Sequence, residues 1–443
     1  MIHYTIFDIF LTPPKPSAYN IKKRFYRDKE TNIKENIMEL HFPILLDGAT
    51  GTELQKRGYR GGISAEQWVL EHPDAITDLH NNYIEAGSDV LYAPTFGANR
   101  VKLEEYGVFN QVPEYNRRLA KIALDNAEGR ALVAGDISQT GKFLKPIGNT
   151  TFREMLEIYR EQAEALEEAG VDLYAVETMT NLAEARAAVL AIRQISDKPI
   201  MVCFTCEANG RTMMGNDIAA ALVILQNMGI DAFGLNCSTG PDQMLPHIQR
   251  LQKYAEVPLI AKPNAGMPKT KNGETYYDCG PEELAAYVKD LAAAGVGIFG
   301  SCCGSTEEHI RAIHRELQNV EFLPPHPDFQ GKIPLATEKN LYLLPTDLEI
   351  GKIYPCDEHL EDSCEEAEED DEALFMTIEL KAEEELDNLE DFQYAIPLPL
   401  CILCNDASLL EQALEIYQGR ALYAGDLPEE ELLPLANRYG LVI

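Results

Sequence analysis

Val296-Gly-Ile-Phe-Gly-Ser-Cys-Cys-Gly304 is a short apolar run that ends in two adjacent thiols and a glycine. A second run of the same kind, Ala232-Phe-Gly-Leu-Asn-Cys237, also ends in a cysteine. Six more apolar runs precede or separate these two: Ile44–Leu46, Val90–Ala93, Ala131–Ala134, Leu173–Val176, Ile200–Phe204 and Leu259–Ala261. Each is about one strand long and nearly free of polar residues, as expected of parallel strands covered on both faces. Counting Ala232–Leu235 and Val296–Phe299, there are eight, each separated from the next by room for a helix.

The connecting segments carry helix signals. Thr151-x-x-Glu154 is a capping box, and Gly170 sits where a helix should stop. Between them Phe152, Met155, Tyr159, Ala163 and Leu166 share one helical face. Pro281 suits a first helical turn, with Leu284, Tyr287, Val288 and Leu291 as a buried stripe. Ser305-x-x-Glu308 is expected to open the last helix of the series. Eight strand-plus-helix units predict an α/β protein whose main body, residues 38–323, is a (β/α)8 TIM barrel. An open doubly wound sheet has the same spacing, because spacing does not show closure.

The flanks read differently. Residues 1–37 hold Pro13, Pro14 and Pro16 and then Lys22, Lys23, Arg24 and Arg27, without a persistent period, and are expected to be a disordered extension, the alternative being an upstream over-extension of the reading frame. Pro324, Pro325 and Pro327 mark a linker. The stretch 324–395 reads as linker and acidic segment, and residues 356–392, which include Glu361-Asp-Ser-Cys-Glu-Glu-Ala-Glu-Glu-Asp-Asp-Glu372, are expected to be too charged to pack and therefore mobile. Residues 396–443 read as a small α/β fragment, with strands at Leu398–Leu403, Ala421–Tyr423 and Leu441–Ile443 and helices at Ser408–Tyr417 and Glu429–Tyr439. A fragment of that size is expected to dock on the barrel or on a partner.

The 443 residues carry a net charge of -34, and residues 331–443 alone hold 28 acidic against 6 basic side chains. Such a field repels phosphate backbones and argues against nucleic acid as a partner. No apolar stretch approaches the ~18 residues of a membrane span. The N-terminus shows no export signal, so the ten cysteines are read as those of a cytoplasmic protein. In a reducing compartment clustered cysteines serve as metal ligands, catalytic groups or small buried hydrophobes.

A barrel carries its active site at the C-terminal ends of its strands. Here those ends read Asp47-Gly-Ala-Thr-Gly-Thr52, Pro94–Asn99, Gly135-Asp136, Glu177-Thr178, Asn236-Cys237, Pro263–Gly266 and Cys302-Cys303-Gly304. Cys237, Cys302 and Cys303 can supply three thiolates to a zinc ion that keeps a fourth position open. Neighbouring strand residues face opposite ways, so Cys302 and Cys303 share one metal only if the chain turns, which Gly304 permits. Three buried thiols acting as small hydrophobes are the alternative. Cys203-x-x-Cys206 and Cys401-x-x-Cys404 are read as structural, and Cys279 has no evident partner. Asp47 and Glu177 are the carboxylates best placed to hold an ammonium group. In the loop after Asp47, Gly48 and Gly51 let backbone N–H groups approach a carboxylate.

Taken together, Asp47-Gly-Ala-Thr-Gly-Thr52, Glu177-Thr178, Asn236-Cys237-Ser-Thr-Gly-Pro241, Pro263-Asn-Ala-Gly266 and Gly300-Ser-Cys-Cys-Gly304 resemble the homocysteine S-methyltransferase family, in the family's order, over about Pro43 to Leu323. Asn236–Pro241 followed by Pro263–Gly266 is similar to the homocysteine-binding barrel of cobalamin-dependent methionine synthase. The resemblance implies a zinc-binding barrel with Cys237, Cys302 and Cys303 as ligands. It implies that Asp47 and Glu177 bind the homocysteine amino group, that Asn236 lies beside metal and substrate, and that Gly48, Ala49 and Thr50 receive the amino acid carboxylate. The implied reaction is methyl transfer to the thiol of homocysteine, giving methionine. The implied donor is methylcobalamin on a separate corrinoid protein, with a folate-binding methyltransferase as a further partner. S-methylmethionine or betaine is the alternative donor, and a noncatalytic zinc- or amino acid-binding subunit is the alternative role. Tyr417-Gln-Gly-Arg-Ala421 and Leu433-Pro-Leu-Ala-Asn-Arg-Tyr-Gly440 faintly resemble part of a folate-type barrel.

Overall fold

The computed structural model describes residues 41–271 and 274–443. The extension expected at 1–37 lies outside the described residues.

The eight expected runs all form strands. They are β1 (Ile44–Leu45), β2 (Val90–Tyr92), β3 (Leu132–Ser138), β4 (Leu173–Met179), β5 (Ile200–Phe204), β6 (Ala232–Asn236) and β7 (Leu259–Lys262). After a short hairpin, β8 (Lys269–Lys271) with β9 (Glu274–Tyr276), comes β10 (Val296–Phe299). The sheet order is β1-β10-β7-β6-β5-β4-β3-β2, with every pairing parallel. A parallel bridge from Leu46 to Val90 joins the two ends of this order. The sheet is therefore a (β/α)8 barrel, and the open alternative falls.

Alternation along the strands sorts the side chains. Ile44, Leu46, Val90, Tyr92, Ala134, Ala175, Met201, Cys203, Ile260 and Ile298 fill the barrel interior. Cys203 is thus a core thiol, and burial pushes its pKa up. The residues two further along β3, β4 and β7 are Asp136, Glu177 and Lys262, all buried. β3 and β4 run beyond the apolar runs that announce them, so these polar groups stand inside the barrel mouth and not in loops.

The helix from Phe152 to Ala169 has the expected capping box at Thr151 and Glu154, and Gly170 ends it in the left-handed region at φ 87°. Two local expectations change. The helix opened by Pro281 breaks at Tyr287 into Pro281–Ala285 and Val288–Ala293. The last barrel helix, Glu307–Leu317, is capped by Thr306 with His309, whereas the Ser305 hydroxyl donates to Cys302 O at 2.8 Å and accepts from Ala49 N–H at 3.1 Å.

Beyond the barrel, β11 (Ile333–Ala336) and β12 (Leu341–Leu344) form an antiparallel hairpin. Then β13 (Ile353–Pro355), β14 (Met376–Glu379), β15 (Leu400–Leu403) and β16 (Leu422–Ala424) make a parallel sheet in sequential order. The acidic stretch is therefore not an unpacked run. Leu360–Glu369 is a helix that buries Leu360, Cys364 and Ala367 and turns its carboxylates outward. Three apolar residues at helical spacing suffice to anchor one face, which the mean charge of the segment conceals. The two helices and the first two strands expected in 396–443 form as part of this larger unit, which begins at β11, whereas the strand expected at Leu441–Ile443 is reduced to a single parallel bridge from Val442 to Leu422.

The unit packs on the barrel. The helices Leu182–Arg193 and Ile218–Gln226 are buried on nearly every face, because strands cover one side and the C-terminal unit the other. Buried Arg186 donates to Leu414 O at 2.9 Å and Glu415 O at 3.4 Å, the last carbonyls of the helix Ala407–Ile416. Arg211, in the loop after β5, donates to Lys339 O at 2.7 Å.

Candidate metal and substrate centre

Three loops bring the thiols together. β6 ends at Asn236, and Cys237 follows in the left-handed region at φ 59°, fixed by its N–H to Lys262 O at 3.1 Å. That conformation is rare for a side-chain-bearing residue and is held by the surrounding structure. After β10 the chain leaves the strand, so Cys302 and Cys303 are not bound by strand alternation. Gly304, at φ 83°, completes the turn; a Cβ there would meet the Tyr277 ring at 2.3 Å. The segment after β7 crosses between the thiols: Cys302 N–H donates to Pro263 O at 2.8 Å, and Ala265 N–H donates to Cys303 O at 3.0 Å.

The three sulfurs lie within 4.8 Å of one another, and the Cys237–Cys303 separation is 3.9 Å. A tetrahedral zinc ion with Zn–S of about 2.3 Å needs sulfurs about 3.8 Å apart. All three cysteines are partly exposed, so the set can leave a side open. Cys302 and Cys303 donate toward Cys237 and hold its thiol well below the usual range, while their own rise in turn. Without a cation the cluster thus favours one thiolate, at Cys237, with two thiols donating to it; thiolate is the form that binds soft metal ions.

Beside the sulfurs lies a charged set. Asp47 is buried; its Oδ2 accepts from Tyr92 N–H at 2.8 Å, and its Oδ1 has no hydrogen-bond donor. Burial raises its pKa to about 6 against the pull of Lys262. Glu177 Oε2 accepts from Asn236 Nδ2 at 3.2 Å and from Lys262 Nζ at 3.2 Å. Asn236 also accepts from Thr178 N–H at 2.9 Å. Asp136 is pushed well up, by burial first and by Glu177 second.

The loop after Asp47 is placed as follows. Gly48 has no room for a side chain, because a Cβ would meet the Tyr83 ring at 2.9 Å. The Ala49 N–H is already given to Ser305, and Thr50 precedes the short helix Gly51–Lys56. Thr52 Oγ1 accepts from Gly304 N–H at 3.2 Å, tying this loop to the thiol turn. Cys401 and Cys404 lie in the C-terminal unit, away from the cluster, and among the described residues only Cys237, Cys302 and Cys303 converge as a potential metal set.

Sequence reasoning passed over Lys262 and Tyr277. Lys262 had a visible signal: a lysine closes the otherwise apolar β7, at the parity of interior residue Ile260. Tyr277 had none, since its place against Gly304 and Cys303 depends on the fold of the hairpin loop.

The mouth of this barrel gathers three thiols, a donor set that could hold a soft metal ion, beside buried carboxylates. The family model for homocysteine S-methyltransferase matches residues 44–317, and the chain belongs to that family. A methionine synthase of Mycobacterium leprae is 33% identical over 285 residues, which cover 60% of this chain and 24% of that protein. One from Mycobacterium tuberculosis is 32% identical over 293 residues, covering 62% and 24%. The chain thus spans about a quarter of the length of these relatives. The metallated form of the homocysteine methyltransferase MmuM from Escherichia coli superposes with a TM-score of 0.53 at 24% identity, over 64% of this chain and 96% of that one. The oxidized form gives the same TM-score at 23% identity. At these identities the likeness shows the barrel fold. Among the described residues no helix is long and apolar enough to cross a membrane.

Proposed function

We propose that this protein transfers a methyl group to the thiol of homocysteine, giving methionine, with zinc bound by Cys237, Cys302 and Cys303. The observation that carries the reading is the convergence of three sulfurs within 4.8 Å beside a buried carboxylate pair at the mouth of the barrel. Zinc at such a site supplies a Lewis acid that keeps the substrate sulfur as thiolate at neutral pH. The protein's own groups set the geometry. Asp47, with Oδ1 lacking a donor, and Glu177 receive the substrate ammonium. Asn236 keeps the Glu177 carboxylate turned toward that seat. The loop Gly48-Ala49-Thr50 flanks the same side and receives the substrate carboxylate. The attacking sulfur then lies among the cysteines with its amino acid end fixed, which converts a bimolecular encounter into an oriented displacement.

The donor in this reading is methylcobalamin on a separate corrinoid protein, and a folate-binding methyltransferase remethylates it. The motif likeness to the cobalamin-dependent branch supports it, as does the 32–33% identity with proteins named methionine synthase. All ten cysteines are free, in keeping with a cytoplasmic setting. The test is methionine formation by the purified zinc-loaded chain, offered homocysteine with methylcobalamin, S-methylmethionine or betaine in parallel. Turnover with methylcobalamin is expected. Turnover with S-methylmethionine or betaine alone would replace the donor. Homocysteine binding without turnover on any donor would leave a noncatalytic binding subunit.

A further inference from the structure

Lys262 is buried to 2% exposure at the end of β7, directly beneath the proposed amino acid seat. Its Nζ lies 3.2 Å from Glu177 Oε2, 3.7 Å from Asp47 Oδ1 and 3.6 Å from the centre of the Tyr92 ring. Three carboxylates, Asp47, Asp136 and Glu177, are buried around one ammonium. The stem of this lysine also shapes its surroundings. A Cβ at Gly300 would stand 3.0 Å from Lys262 Cγ, so the glycine before Ser301-Cys302-Cys303 makes room for the side chain. A buried lysine is costly unless paired, and this one is paired on two sides and covered by an aromatic face.

We propose that Lys262 is a positioning and specificity-determining residue: an internal ammonium that draws Asp47 and Glu177 into one seat for a single further ammonium, that of the substrate amino acid. The proposal rests on the functional reading above, which gives Asp47 and Glu177 to the homocysteine amino group.

The physics is a charge arrangement. Two buried carboxylates without a cation between them repel and turn apart. Lys262 engages Glu177 Oε2 and lies near Asp47 Oδ1 without a hydrogen bond to it, so that oxygen keeps its capacity to accept. The seat is then anionic enough to draw one ammonium and is held in shape before the substrate arrives. Preorganisation of this kind appears in affinity for the group it serves and leaves ligands that lack the group unaffected. Lys262 is therefore expected to set the preference for an α-amino thiol acid over the same thiol acid without the amine.

The experiment is calorimetric binding to the zinc-loaded full chain, using homocysteine and 4-sulfanylbutanoate, its analogue without the amino group. Lys262→Met removes charge and donors. Lys262→Gln keeps a stem and one donor toward Glu177 and serves if the first variant is unstable. Zinc stoichiometry is measured on each. Homocysteine affinity should fall by about tenfold or more, the loss expected of a charge-assisted contact. The analogue's affinity should stay within about twofold and zinc should remain bound. Equal losses for both ligands would mean that Lys262 only supports the fold, and tighter homocysteine binding would mean that it competes for the seat; either overturns the proposal. Wild-type protein that binds neither ligand would instead overturn the homocysteine reading itself.

Discussion

Replacing Arg186 by methionine tests how the C-terminal unit is held. The guanidinium is buried among Phe152 and the last turn of the helix Ala407–Ile416, where it donates to Leu414 O at 2.9 Å and Glu415 O at 3.4 Å. Those carbonyls have no partner within their own helix, so the barrel's arginine caps a helix of the C-terminal unit. Losing the donors leaves two carbonyls short of a partner, at ~1–3 kcal/mol for a well-made buried bond and less for the longer one. Two effects oppose that loss. Burial already disfavours the cation, whose pKa falls to about 10, and its Nε has no partner. Methionine also restores much of the packing volume. The net is a destabilisation of about 2 kcal/mol. Urea unfolding should show it, and hydrogen exchange should place it, with faster exchange in 407–443 and little change at the strands bearing the thiols. Unchanged exchange in 407–443, or an equal rise through the whole barrel, would refute this account of the docking.

Four other outcomes are expected. Cys237→Ala, Cys302→Ala or Cys303→Ala should each lower zinc content from about one ion to a small fraction, while Cys401→Ala and Cys404→Ala leave it unchanged; metal analysis after dialysis decides this. Homocysteine binding should release about one proton, seen as a dependence of the calorimetric heat on buffer ionisation enthalpy; a buffer-independent heat would mean that the thiol stays protonated. Asp47 is raised from 3.8 to about 6 in the folded chain, so it is protonated in both states at low pH and costs stability as pH rises from about 4 to about 6. In the folded chain its charge appears only as pH rises through about 6, so homocysteine affinity should weaken as pH drops below about 6, and the pH dependence should ease in Asp47→Asn. Gly304→Ala should lose zinc affinity, because the new Cβ meets the Tyr277 ring at 2.3 Å and the backbone sits at φ 83°; zinc retained at wild-type affinity would show that the turn can shift without moving Cys303.

Much of the barrel could be read from local pattern because parallel strands covered on both faces are written as uninterrupted apolar runs. Closure could not be read, since it depends on the Leu46–Val90 pairing between the two ends of the sheet. The acidic segment misled for a physical reason. Its carboxylates occupy one helical face, and the three residues that anchor the other, Leu360, Cys364 and Ala367, are outnumbered in composition though correct in spacing. The reach of β3 and β4 was hidden in the same way, because Asp136 and Glu177 are polar and still belong to the barrel interior.

The thiol set was legible because cysteine at a strand end has few other uses, whereas the charged set beneath it was only half legible. Carboxylates at strand ends can be recognised one at a time, but their charge balance is a property of the assembled layer. Lys262 is drawn to Glu177 and Asp47 only when β7, β4 and β1 are brought around the same axis. Gly300 then acquires its reason, since the lysine stem fills the space that a side chain there would need. The glycine of the thiol motif and the lysine of the neighbouring strand are one device, split between two segments some forty residues apart in sequence. Substituting either alone should disturb the seat: Gly300→Ala by displacing the Lys262 stem, Lys262→Met by removing its charge.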